Sequence, residues 1–143
     1  KAKMDSLDLP LLQSILPSND FVVKRALEDV KKTGKKKITL LGLSFKPGTD
    51  DLRESPLVKL AEVLIGKGYK LKLYDKNISL GGLMGANKTY IEQEIPHLTS
   101  LLCRSLDEAL KGSEVILIGH STKQFKQISR KIKKNQVLID FTY

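Results

Sequence analysis

At 143 residues and 41% hydrophobic composition, the chain can bury one domain core with an appendage beside it. It has no run of about 18 apolar residues, so no membrane span is expected in it, and its first residues lack the apolar core of a signal peptide. The +9 formal charge is concentrated in KKTGKKK (31–37) and RKIKK (130–134), without aromatic residues or a zinc-finger, RNP or helix-turn-helix pattern, so solvated faces are favoured over a nucleic-acid groove.

In chain order, residues 7–16 and 18–33 are expected to be helical, divided near Pro17. Phe21, Val22, Ala26, Leu27 and Val30 form an apolar stripe, and Gly34 is the expected stop. Leu9, Leu11, Leu12, Ile15 and Leu16 add more apolar surface than one small domain readily covers, as a dimerising surface does. KITLLGL (37–43) is a continuous apolar strand. Residues 56–68 form an amphipathic helix with Ser55 as N-cap and Pro56 at its first position. YKLKLYD (69–75) alternates as a strand. A short helix is expected over 88–95 and a short strand over 101–104. Ser105 and Glu108 make a capping box for a helix ending at Gly112. EVILIG (114–119) is a buried strand, 122–133 a helix and QVLIDF (136–141) a last strand. Strands alternating with helices imply right-handed crossovers and a mainly parallel sheet: a Rossmann-like, doubly wound α/β domain over 34–143, preceded by a helical lead-in over 1–33.

In such sheets ligands bind beyond the carboxyl ends of the strands, near the switch in strand order. SFKPGTDDLRES is the loop leaving the first strand there. Lys46 and Arg53 are cations suited to phosphate or carboxylate, Arg53 bidentately. Alternatively the loop is simply solvated, with Arg53 paired to Asp50 or Asp51. A dinucleotide fingerprint needs G-x-G-x-x-G, and this chain has Gly42-Leu43-Ser44-Phe45-Lys46-Pro47-Gly48. An autonomous NAD site is therefore not expected, and phosphate recognition would fall to side chains.

The stretch G-L-S-F-K-P-G-T-D-D-L-R-E-S-P resembles the signature F-K-x-x-T-x-D-x-R-E-S of the nucleotide-sugar 6-dehydrogenases, the UDP-glucose and GDP-mannose dehydrogenase family. GANKTYIEQEIPHL (85–98) is similar to the GDP-mannose branch in particular. The resemblance implies that 1–33 ends a central helical dimerisation region and that 34–143 is the C-terminal sugar-nucleotide-binding domain. In the family, a separate Rossmann domain holds NAD, and the sugar C6 alcohol is oxidised to a carboxylate through a thiohemiacetal on a cysteine. By the same resemblance Phe45 and Lys46 contact substrate, and Arg53 reaches the cofactor across the cleft. The implied partners are a sugar nucleotide and a second copy of the enzyme, in the cytoplasm, with no nucleic acid, membrane or metal.

The family's catalytic cysteine segment is absent from this sequence, and the chain opens at Lys1 rather than Met, as expected of a piece of a longer protein. Cys103, among apolar neighbours, reads as an inert thiol, and a single cysteine fits a reducing, cytoplasmic setting. Catalytic residues are therefore not expected in this stretch. His97 and His120 lack an identifiable partner and read as loop or core residues. Asp75 ends the second strand where a ribose-binding acid would stand, but a turn or cap role is favoured without the preceding glycines. A UDP-sugar enzyme, or a non-catalytic nucleotide-binding or oligomerisation module, remains as an alternative.

Overall fold

A computed structural model describes residues 20–44, 52, 55–79, 92–93, 96–120 and 122–141. Residues 20–33 are helical (α1), and Gly34 ends the helix at φ 68°, the left-handed conformation that glycine adopts without Cβ strain. There follow β1 (Lys37–Leu41), α2 (Pro56–Gly66), β2 (Lys70–Tyr74), α3 (Lys76–Ser79), α4 (Pro96–Thr99), α5 (Leu106–Leu110), β3 (Val115–Ile118), α6 (Lys123–Lys126), a 3₁₀ turn (Ile128–Arg130) and β4 (Val137–Asp140).

The strands pair in the order β2-β1-β3-β4, all parallel. The chain goes from β1 to one side for β2 and crosses to the other for β3, so the switch point lies at β1 and β3. Side chains alternate across each strand. Ile38, Leu40, Leu71, Leu73, Val115 and Leu117 therefore pack on one face, with Val23, Ala26 and Val30 of α1 and Leu57, Leu60 and Leu64 of α2. Leu41, Tyr74, Ile116 and Ile118 face the other way, onto Leu106, Ala109 and Leu110 of α5 and onto Phe125 and Ile128. Both faces of β3 are covered, which is why VILI reads as an unbroken apolar run. In β4 burial alternates, and Leu138 is exposed.

The expected α2 cap is present. The Ser55 hydroxyl accepts from the Leu57 N–H at 3.2 Å, and Pro56 stands at the helix start. Ser105 accepts from the Glu108 N–H while the Glu108 carboxylate takes the Arg104 N–H, one residue further back than in the reciprocal capping box.

Three expectations are corrected. The strand over 101–104 contracts to one bridge, Leu73 to Leu102. The helix over 122–133 breaks after one turn into the 3₁₀ turn at Ile128–Arg130. As one continuous helix it would stack Lys123, Lys126 and Arg130 at i+3 and i+4 spacings, where like charges repel. The break still buries both Phe125 and Ile128. His97 lies on α4 rather than in a loop, its Nε2 2.6 Å from Glu62 Oε1 on α2. The helix expected over 88–95 lies outside the described residues except for 92–93, which are helical. The apolar cluster over 9–16 lies outside them altogether.

Candidate functional site

The carboxyl edge of the sheet is built around Gly42, the residue after β1. Its N–H donates to Tyr74 O at 2.8 Å, and its φ is 93°. A Cβ there would stand 2.7 Å from the His120 ring, so the glycine makes room for an imidazole arriving from beyond β3. Gly119 does the same for Leu57 of α2, whose methyl carbons lie 2.6 Å from the position a Cβ would take.

Asp75, following β2, lies 1% exposed beside this ring. Its Oδ2 accepts from the Leu43 N–H at 2.9 Å and the Ser44 N–H at 3.2 Å, and stands 3.3 Å from both Ser44 Oγ and His120 Nε2. Its Oδ1 accepts from the Asn77 N–H at 3.0 Å, which starts α3. Burial pushes the Asp75 carboxyl up, but the His120 hydrogen bond, the two backbone N–H groups and the imidazole's charge outweigh it and hold the pKa below the ordinary value. His120 packs on Phe125 at 5.9 Å between centroids, and Phe125 meets Tyr74 edge-on at 6.4 Å.

Ser44, His120 and Asp75 bring together the residue types of a hydrolytic triad, but the geometry is wrong for one. A relay needs the serine and the acid on different imidazole nitrogens. Here Ser44 Oγ, at 3.4 Å, and Asp75 both address Nε2. Nδ1 is buried with no hydrogen-bond partner among the described residues. The cluster is a clamp, and what it clamps is the exit of β1. Leu43 gives its N–H to Asp75, and its carbonyl accepts from the Ser55 hydroxyl at 2.6 Å. The two ends of the signature loop are thus tied to one residue, and Leu52 is buried in the core between them.

Phe45, Lys46 and Arg53, the predicted substrate and cofactor contacts, lie outside the described residues, as do Asp50 and Asp51. Asp75 takes the capping role favoured for it. His120 has the partner that the sequence did not reveal: Asp75, reached across β1. A glycine at position 42 between two strands whose ends carry an acid and a histidine was the available signal.

Cys103 is 6% exposed; burial first, and then the Glu108 carboxylate, push its thiol up, only partly offset by Lys72 and a backbone hydrogen bond at Leu73. That environment disfavours thiolate.

A bound dinucleotide needs glycine backbone open to its pyrophosphate and a free acid for its ribose. Both Cβ positions that would matter are filled, by His120 and Leu57, and Asp75 is occupied by Leu43 and Ser44. The described residues do not fit NAD as a self-contained site.

Among known proteins, the family model described as "UDP-glucose/GDP-mannose dehydrogenase family, UDP binding domain" matches residues 39–143. The GDP-mannose 6-dehydrogenase of Pseudomonas putida is 47% identical over 137 residues, covering 94% of this chain and 31% of that protein. The UDP-glucose 6-dehydrogenase of Rickettsia conorii is 30% identical over 145 residues, covering 94% of this chain and 31% of that one. A crystal structure of a ternary complex of GDP-mannose dehydrogenase from Pseudomonas aeruginosa superposes with a TM-score of 0.85 at 44% identity, over 99% of this chain and 33% of that one. The chain therefore spans about a third of the length of the relatives it matches. With its parallel sheet and a family match running from β1 to Tyr143, the chain belongs to the UDP-glucose/GDP-mannose dehydrogenase family.

Proposed function

We propose that this chain is the sugar-nucleotide-binding C-terminal part of an NAD-dependent nucleotide-sugar 6-dehydrogenase that converts GDP-mannose to GDP-mannuronate. The observation that carries the reading is the exit of β1: residues 42–44 lie at the switch point, where open parallel sheets bind ligands, and are fixed there by Asp75 and Ser55. Phe45 and Lys46 are assigned to the sugar nucleotide and Arg53 to the cofactor, as the signature implies. NAD is held mainly by another part of the whole enzyme, in keeping with the closed Gly42 and Gly119 positions.

The family model's description speaks of UDP, but the Pseudomonas putida protein named for GDP-mannose stands at 47% identity and the Rickettsia conorii protein named for UDP-glucose at 30%. That difference favours the guanine nucleotide. Residues 1–33 are assigned to the end of the central helical region and to dimer contacts, 34–143 to the substrate domain, and the assembled enzyme to the cytoplasm. Among the described residues no helix is long and apolar enough to cross a membrane.

The test is NADH formation by the whole enzyme containing this chain, with GDP-mannose and UDP-glucose supplied separately. GDP-mannose is expected to support turnover with two NADH formed per sugar. Preference for UDP-glucose would move the enzyme to the other branch, and no NADH with either would refute the reading.

A further inference from the structure

The opposite end of the strands carries a feature that the proposed function does not use. β1 and β2 both open on lysine, and the register sets Lys37 and Lys70 side by side. Alternation puts Lys72 on the same face as Lys70. The segment after α5 brings Lys111, Gly112 and Ser113 against them, and together these residues line a groove of about 350 Å³. That volume lies within the roughly 300–1,000 Å³ of small-molecule sites. Of the lining residues, Ser113 is buried, its hydroxyl meeting that of Thr39.

The charges around it are unevenly used. Lys72 is committed, its Nζ donating to Glu108 O at 3.2 Å and to Lys111 O at 2.6 Å, where it neutralises the carbonyl end of α5. Lys37, Lys70 and Lys111 are exposed and make no ion pair among the described residues. The adjacent acid, Glu114, turns its carboxylate onto the N–H groups of Lys36 and Lys37, at 3.2 and 3.1 Å.

Like charges set directly opposite on neighbouring strands cost stability. Lysines also discourage edge-to-edge pairing of outer strands, which would account for Lys70 and Lys72 on β2. It does not account for Lys37 on β1, which is paired on both sides, or for Lys111 beyond a helix. An anion in the groove would offset the charge of all three lysines at once, where Glu114 offsets only part of that of Lys37. The cations are all lysine, point charges suited to phosphate, with no arginine to form the planar fork that best matches a carboxylate.

We propose that this groove binds a small molecule carrying a diphosphate, with Lys37 and Lys70 on one phosphate and Lys111 on the other. The proposal stands apart from the assignment of the signature loop, which leaves the other end of the sheet.

The test uses the isotopically labelled 143-residue chain and inorganic pyrophosphate, followed by amide shifts at near-physiological salt. Saturable shifts at residues 37, 70–72 and 111–113 are expected, with a dissociation constant on the order of 1 mM or tighter. The Lys37→Gln/Lys70→Gln double variant should weaken binding about tenfold or more, since each lysine supplies a charge-assisted hydrogen bond. Lys59→Gln on α2, where Lys59 pairs with Asp20 at 2.6 Å, should leave it unchanged. Malonate, a dicarboxylate of similar span, should bind more weakly than pyrophosphate.

Four results would overturn the proposal. One is a set of shifts reproduced by sodium chloride at equal ionic strength, which marks a merely solvated surface. Another is undiminished affinity in the double variant. The third is shifts confined to Ser44, Asp75 and His120. The last is lysine-dependent binding of a single-stranded oligonucleotide by a chain that ignores pyrophosphate, which would make this edge an extended polyanion surface.

Discussion

Removing the Asp75 carboxylate tests whether the clamp at the β1 exit holds the domain together. In Asp75→Ala the Leu43 and Ser44 N–H groups lose a charged acceptor in a site that is 1% exposed, and His120 Nε2 loses its partner. Each buried donor left unsatisfied costs about 1–3 kcal/mol, and removing one member of a buried charged network about 3–5 kcal/mol. A loss of about 3–5 kcal/mol is expected, read as a lowered midpoint in urea unfolding at an unchanged slope. Asp75→Asn keeps the shape and one acceptor oxygen, so about 1–2 kcal/mol is expected from it. The pH dependence separates the charge from the shape. The folded pKa of Asp75 lies below its ordinary value of 3.8. The unfolded chain therefore binds the proton more readily, and the ionised carboxylate's contribution is fully present above the ordinary value and lost as pH falls through the lowered one. The stability gap between wild type and Asp75→Asn should accordingly narrow as pH falls below about 4. An Asp75→Ala loss under about 1 kcal/mol, or a gap that stays flat into acid, would show that Leu43 and Ser44 do not depend on this carboxylate.

Gly42→Ala combines a residue at φ 93° with a Cβ driven to 2.7 Å from the His120 ring, so a loss of at least about 2 kcal/mol is expected in the same unfolding assay, against a negligible loss if the ring swings aside freely. In the whole enzyme, Lys46→Ala should lower kcat/KM by the equivalent of about 2–4 kcal/mol with the unfolding midpoint unmoved, and wild-type kinetics would remove Lys46 from the site. Arg53→Lys should raise the KM for NAD more than that for the sugar nucleotide, because lysine keeps the charge and loses the fork; a change in thermal stability alone would leave Arg53 as a loop ion pair. Phe21 is 60% exposed on α1, and sedimentation of the chain should show dimers or larger species that Phe21→Ser weakens, whereas a monomer at high concentration would end the dimer assignment of the lead-in.

The elements most legible in the sequence were those whose local chemistry and tertiary burial agree. VILI is apolar throughout because β3 is covered on both faces, and Ser55-Pro56 announces α2 because a hydroxyl cap and a donorless first residue suit a helix start. The helix over 122–133 was misjudged because its apolar period, Phe125, Ile128 and Ile132, runs on through charges that repel along the same segment. Pairing over 101–104 was legible, but its contraction to the single bridge at Leu102 was not, since that depends on where the outer side of β2 lies. The contact of His120 with Asp75 was hidden for a similar reason. It exists only because strand order puts β2 and β3 on either side of β1, and strand order is a property of the fold rather than of any local stretch.

That arrangement also bears on how phosphate can be recognised by a sheet of this kind. An acid after the second strand can accept a ribose hydroxyl or the backbone N–H groups at the exit of the first strand. Asp75 Oδ2 already faces Leu43 N, Ser44 N, Ser44 Oγ and His120 Nε2, Oδ1 takes the Asn77 N–H, and the residue is 1% exposed, so the carboxylate is engaged inside the fold rather than held out to a ribose. The glycine at position 42 is likewise used once, by the imidazole. A dinucleotide cradle and a clamped loop are therefore competing uses of the same two positions, and this chain has adopted the clamp. The proposed function accordingly assigns anion recognition to side chains, with Lys46 and Arg53 of the F-K-x-x-T-x-D-x-R-E-S pattern as the cations.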